Sequence, residues 1–144
     1  MQTQNFANHS RFVPLYHYVL STLLLLTLIG SVVNLVQSLG DHERVYSAAL
    51  IVVLTFCSCL LFYFCRTFPL KAQDRAIRAE ENLRHFAMSG KLFDPRLTVA
   101  QIIALRFAPD EEFLELARKA ADANMPAADI KRAVKNWRAD NYRV

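Results

Sequence analysis

No Asp, Glu, Lys or Arg occurs between Leu15 and Leu39, or between Val45 and Cys65, in a chain of 144 residues that holds 30 of them. Glycine and cysteine are scarce too, at three each. The glycines stand apart at positions 30, 40 and 90, which leaves no glycine-rich phosphate loop, and no Gly-x-Ser-x-Gly nucleophile turn is present. The cysteines, Cys57, Cys59 and Cys65, all fall in or at the end of the second charge-free run. Residues two apart on a helix point away from each other, so Cys57 and Cys59 neither chelate a metal together nor join in a disulfide; they read as reduced, apolar side chains. A secreted disulfide scaffold, a disordered tail protein and a self-contained soluble enzyme are therefore excluded by composition.

What is present explains the gaps. The two charge-free runs are 25 and 21 residues long, and about 20 apolar residues cross a bilayer core as helix. The first run is longer than the apolar core of a signal peptide, so it reads as retained. Between the runs lies only Gly40-Asp41-His42-Glu43-Arg44, a polar break short enough to force an antiparallel hairpin. Arg66, Lys71, Arg75 and Arg78 follow the second span and Arg11 precedes the first, whereas the break holds one Arg and two acids. The excess of basic residues belongs on the cytoplasmic side, which puts both termini there. Phe12, Tyr16, Tyr18, Phe62, Tyr63 and Phe64 fall at that membrane boundary and Tyr46 at the other, as interfacial aromatics do.

The expected organisation is all-α. It comprises an N-terminal cytoplasmic segment over 1–14, spans over 15–39 and 45–65 joined by a turn over 40–44, an amphipathic stalk helix over 66–90, and a three-helix cytoplasmic cap over 91–144. In the first span Thr27, Gly30, Ser31, Asn34 and Ser38 share a small, polar face, and Ser47, Thr55, Ser58 and Cys59 give the second span a weaker version. Small residues let helix backbones approach, so this face is expected to be the packing seam. The stalk should present Ala72, Ala76, Ala79, Leu83, Phe86 and Ala87 as one stripe toward another helix, with acid-before-base pairs Asp74–Arg78 and Glu80–Arg84 on its exposed side. Arg66, Lys71, Arg75 and Arg78 suit anionic headgroups.

In the cap, Thr98-Val99-Ala100-Gln101 fits a capping box, with Leu97 and Ile102 placed as a hydrophobic staple. Pro109 followed by Asp110, Glu111 and Glu112 opens a second helix whose apolar stripe is Phe113, Leu116, Ala117 and Ala120. A third helix is expected from Pro126, with Ile130, Ala133, Val134 and Trp137 as its apolar stripe and Lys131, Lys135 and Arg138 lined up opposite. That basic face admits a nucleic-acid reader. The segment after Cys65 carries only 15 basic against 11 acidic residues, however, and no aromatic platform for bases, which argues against it.

The four histidines, His9, His17, His42 and His85, show no zinc-type spacing, and no metal or cofactor is expected. Three stretches are distinctive in combination: Gln4-Asn5-Phe6 with Asn8-His9 and Arg11; Ala104-Leu105-Arg106-Phe107-Ala108 running into Asp110-Glu111-Glu112; and Ile130-Lys131 with Lys135-Asn136-Trp137 and Arg143-Val144. In these the chain resembles an uncharacterised family of small bacterial two-span inner-membrane proteins. The resemblance implies a bacterial inner-membrane location and brings no activity, ligand or catalytic residue.

The sequence thus offers seams and faces without a reactive group. The expected role is a non-catalytic membrane anchor with a cytoplasmic interaction module, an accessory, assembly or regulatory subunit whose partners are the lipid bilayer and other membrane subunits or further copies of itself. Arg106, Phe107, Lys131, Lys135, Trp137, Arg138 and Arg143 are the candidate contact residues, because Trp, Phe and Arg dominate interface energetics. A homo-oligomeric channel or small transporter lined by Thr27, Ser31 and Asn34 is the alternative, and a membrane-tethered nucleic-acid binder the second.

Overall fold

In the computed structural model, residues 4–9 and 11–140 are described; Arg143, one of the candidate contact residues, lies outside them. All regular structure among the described residues is helical. A π-helical turn, Leu15–Leu20, leads into α1, Ser21–Gln37; α2 is His42–Ser89, α3 Val99–Leu105, α4 Asp110–Asp122 and α5 Ala127–Ala133. The chain forms two compact units, one of Phe12–Phe68 and one of Met1–Arg11 with Pro69–Val144.

The first unit is a helical hairpin. Leu15–Gln37 and His42–Ser89 are both long and apolar enough to cross a membrane by length and composition. The turn between them is shorter than expected. Asp41 accepts hydrogen bonds from the Glu43 and Arg44 amides at 3.0 and 3.3 Å, so it caps α2, which starts at His42. Inside the hairpin Ser31, Ser38, Ala48 and Thr55 are buried, and Leu24, Leu28, Leu35, Val45, Val52, Cys59 and Phe62 are half-buried. On each helix these positions recur at alternating intervals of three and four, the pattern of a left-handed helix pair. Thr27, Gly30, Asn34 and Ser47 face outward. The hydroxyls of Thr27, Ser31, Ser38 and Thr55 each donate back to a carbonyl of their own helix at 2.8 Å, so the seam is close because its residues are small, not because they bond across it. At the open end the π-helical turn adds a residue to the repeat. Tyr16 then stacks on Phe62, ring centroids 4.3 Å apart, and its hydroxyl donates to the Phe62 carbonyl.

The expected break between second span and stalk is absent: α2 is continuous for 48 residues with Pro69 inside it. Pro69 still marks the boundary between the two units. It lacks an amide hydrogen, so the carbonyl one turn earlier loses its helical donor.

In the second unit the stalk part of α2 meets the cap by a face other than the expected one. Ile77 and Glu81 are buried, and Arg84 and His85 are half-buried against the cap, while Ala72, Ala76, Ala79, Leu83, Phe86 and Ala87 are all exposed. The Asp74–Arg78 and Glu80–Arg84 pairs are not formed, because Arg84 turns instead to Glu81 and Asp110. Gly90, at φ +71°, ends the helix. Asn82 Oδ1 accepts the Phe93 amide at 3.0 Å, and the His85 ring lies 4.6 Å from the Phe93 ring, fixing the loop to α3.

The cap core gathers Leu97, Ile102, Leu105, Phe113, Leu116, Ala120, Ile130 and Val134. α3 begins with the expected capping box, Thr98 bonding the Gln101 amide and Gln101 reaching back to the Thr98 amide at 2.7 Å. Its staple residues, Leu97 and Ile102, are both buried. α4 has no side-chain cap at Pro109.

The last helix departs from expectation. α5 stops at Ala133 and Val134 is extended, so Trp137 is not on it, and Lys131, Lys135 and Arg138 do not share one helical face. The cause is Glu112, whose carboxylate accepts the Lys135 and Asn136 amides at 2.9 and 3.1 Å. Those amides would have bonded the Lys131 and Arg132 carbonyls had the helix continued.

Candidate functional site

Beyond α5 the chain runs back along the stalk, and here the charged residues of the second unit collect. The Arg138 amide donates to the Phe107 carbonyl at 2.8 Å. Two adjoining cavities, of about 310 and 630 Å³, share Glu80, Glu81 and Arg138; the first adds Arg106 and Asp140, the second Arg84 and Asp110. Together they form a charged groove between stalk, α3–α4 turn and tail.

Its arginines are held by carboxylates. Arg84 lies 3.0 Å from Glu81, pairs with Asp110, donates to the Ala108 carbonyl at 2.9 Å and stacks 4.0 Å over Phe113. Arg138 is 3.6 Å from the other Glu81 oxygen, and Arg106 is 3.1 Å from Asp140. A guanidinium fixed in this way is a positioned positive charge, not a base or nucleophile at neutral pH. The groove suits recognition of a partner's polar groups.

Next to it the N-terminal segment docks on the cap. Gln4 makes two hydrogen bonds with the Asp140 backbone, donating to its carbonyl at 3.1 Å and accepting its amide at 2.8 Å. His9 lies 5.9 Å from both the Phe107 and Trp137 rings, its Nε2 is 3.0 Å from Lys131 Nζ, and its Nδ1 is 2.8 Å from the Phe6 carbonyl. Arg132 sits 5.0 Å over the Phe6 ring.

Of the candidate contact residues, Arg106 and Phe107 are buried, Trp137 is half-buried with its ring 4.7 Å from that of Phe107, and Lys131 faces His9. Lys135 and Arg138 are exposed on the tail. Arg66 is half-buried in the hairpin unit, and Lys71, Arg75 and Arg78 are exposed further along the same helix. Sequence reasoning missed Gln4, Glu81, Arg84, Glu112 and Asp140. Only the Glu81–Arg84 spacing of three residues signalled a pair in advance.

A third cavity, of about 500 Å³, opens on the other side of α4 between His85, Phe93, Leu114 and Arg118. At its rim Arg96 is 2.7 Å from Asp94 and 2.9 Å from Asp122. The hydrogen bonds from Arg96 hold the Asp94 carboxyl at about 2, well below its usual range. Among the described residues no group of three or more His, Cys, Asp or Glu side chains is placed to hold a metal ion.

The whole chain, residues 1–144, matches the Family of unknown function (DUF6526). The chain belongs to this family. Comparison with curated proteins and with solved structures gave no match. The family relationship covers both the hairpin and the capped stalk with its N-terminal clasp, so the two units are parts of one family architecture.

Proposed function

We propose that the protein is a non-catalytic integral membrane protein whose helical cap serves as a cytoplasmic interaction module, an accessory, assembly or regulatory subunit of a larger complex in a bacterial inner membrane. One observation carries the membrane assignment. Only 6% and 11% of the most apolar windows of the two long helices are buried within the protein, so lipid rather than a protein core must cover them. The segment preceding the hairpin and the chain following it belong to the same unit, which requires both ends of the hairpin to emerge on one side. Arg11, Arg66, Lys71, Arg75 and Arg78 at those ends favour the cytoplasm for that side.

A partner within the membrane is supported by Asn34. Its side chain points outward from the middle of an apolar span, and among the described residues it has no hydrogen-bond partner. An amide in hydrocarbon gains by meeting a polar group on another helix. On the cytoplasmic side the charged groove around Arg138 offers a second contact. The test is crosslinking in intact cells, with a photoreactive residue at Asn34 and another at Arg138, followed by mass spectrometry, together with labelling of a single cysteine at His42. Capture of the same membrane protein from both positions, with the His42 site reached only from outside, is the expected result. Recovery of the protein in the soluble fraction would overturn the anchor, labelling of the turn from the cytosol the orientation, and capture of no other membrane protein the accessory role.

A further inference from the structure

The exposed stripe of the stalk has the spacing of a helix-pairing seam. Ala72, Ala76, Ala79, Leu83 and Phe86 follow one another at intervals of four, three, four and three, and in the folded unit Leu83 and Phe86 remain 67% and 49% exposed. The stalk's cap-facing side lies elsewhere, on Ile77, Glu81 and Arg84, so the stripe is left uncovered by the chain itself. Two charges flank it. Arg75 stands immediately before the apolar position Ala76, and Glu80 immediately after Ala79. Among the described residues neither takes part in an ion pair, Glu80 being released because Arg84 engages Glu81 and Asp110.

We propose that this face is covered by the same face of a second copy of the chain, the two stalks forming a short parallel coiled coil. Side by side in parallel, a residue just before one apolar position meets the residue five places further on in the partner, because these are the flanking positions that face each other across the seam. Arg75 then meets Glu80 of the second copy, and by the twofold symmetry the pair forms twice. An antiparallel arrangement would set Arg75 beside uncharged Asn82 or Ser89 and lose both pairs. Parallel orientation also follows from the membrane reading above, on which this inference rests, since copies inserted with one topology carry their stalks in one direction. Three alanines in five seam positions bury little surface, and the seam spans few turns. Confinement to one bilayer raises the local concentration of stalks and makes so slight a seam sufficient.

The test uses the full chain in lipid nanodiscs and mild detergent. A protein mass of twice the 16.5 kDa chain is expected, with Leu83→Asp returning it to one chain. Arg75→Glu and Glu80→Arg should each weaken pairing about tenfold or more, and the double exchange should restore it, since it recreates the pair with its signs reversed. With the native cysteines replaced, Ala79→Cys should crosslink to itself, whereas Arg78→Cys, one residue off the seam, should not. A single-chain mass at every concentration, equal crosslinking at both positions, or failure of the double exchange to restore pairing would overturn the proposal, as would crosslinking of this face only to a different protein. Fractionation separates this result from the membrane reading. Pairing in detergent by a chain that does not enter membranes removes the anchor and leaves the seam, and a membrane-embedded single chain does the reverse.

Discussion

Arg84 sits one helical turn beyond Glu81 with its guanidinium 3.0 Å from a carboxylate whose side chain is only 8% exposed, and it is the nearer of the two arginines on that acid. The pair is unequal in its dependence. Without Arg84, Glu81 keeps only Arg138 at 3.6 Å, whereas without Glu81, Arg84 keeps Asp110 and the Ala108 carbonyl. A buried charge stripped of its partner costs about 3–5 kcal/mol, and a lost hydrogen bond to a charged group about 1.5–3 kcal/mol. Arg84→Met should therefore destabilise the capped unit by about 3 kcal/mol and Glu81→Gln by clearly less. Denaturant unfolding in nanodiscs, followed by the fluorescence of Trp137, the single tryptophan, reads the difference; equal losses would refute the asymmetry.

His9 and Gln4 make the same fluorophore a reporter on the N-terminal segment. His9→Ala removes the ring contact with Trp137 and the Lys131 bond, and Gln4→Ala removes two hydrogen bonds to Asp140. Each should shift Trp137 emission to the red and cost about 1–2 kcal/mol. An unchanged spectrum in both variants would mean that the segment does not lie on the cap.

Asp94 gives a pH dependence with a defined sign. Its carboxyl is depressed from 3.8 to about 2 by Arg96, so the folded state favours the ionised form. The stabilisation is complete above pH 3.8 and is lost as pH falls toward 2. Melting curves of the native chain and of Asp94→Asn should differ at pH 5 and converge below pH 2. A gap that persists or widens in acid contradicts the assignment.

The hairpin seam predicts opposite outcomes for neighbouring polar residues of α1. Ser31 is buried between the helices and Thr27 faces outward. Ser31→Leu overfills the seam and should cost about 1–3 kcal/mol, while Thr27→Leu should change stability by less than about 0.5 kcal/mol. Titration of the reconstituted protein with a denaturing detergent, followed by circular dichroism, ranks the two; a larger loss for Thr27→Leu would place the seam on the other face.

The features legible in the sequence are the local ones. Thr98 and Gln101 are three residues apart and make the capping box their spacing implies, and the charge-free runs correspond to helices of matching length. Faces were harder to assign than elements. In the first span Ser31 and Ser38 are buried as expected but their seam companions are Leu24, Leu28 and Leu35, because in an apolar span size selects the interior and polarity does not. On the stalk, hydrophobicity picks out the Ala-Leu-Phe stripe, whereas the cap is met by Ile77, Glu81 and Arg84, whose polar members are acceptable inside only because Arg138 and Asp110 arrive from distant sequence. The end of α5 is set by Glu112, 23 residues before Lys135, and no pattern within 126–138 contains that information. The groove and the N-terminal clasp are illegible for the same reason.

The clasp of Gln4 on Asp140 joins groups 136 positions apart. A ribosome makes the first of them almost at once and the second nearly at the end, so the leading segment must wait, unoccupied, while both spans and the whole cap are synthesised. A nascent chain released short of Asp140 would leave Gln4 with nothing to hold, its first residues open to proteases or chaperones. This single pair of hydrogen bonds therefore gives the cell a means of telling finished molecules from prematurely terminated ones.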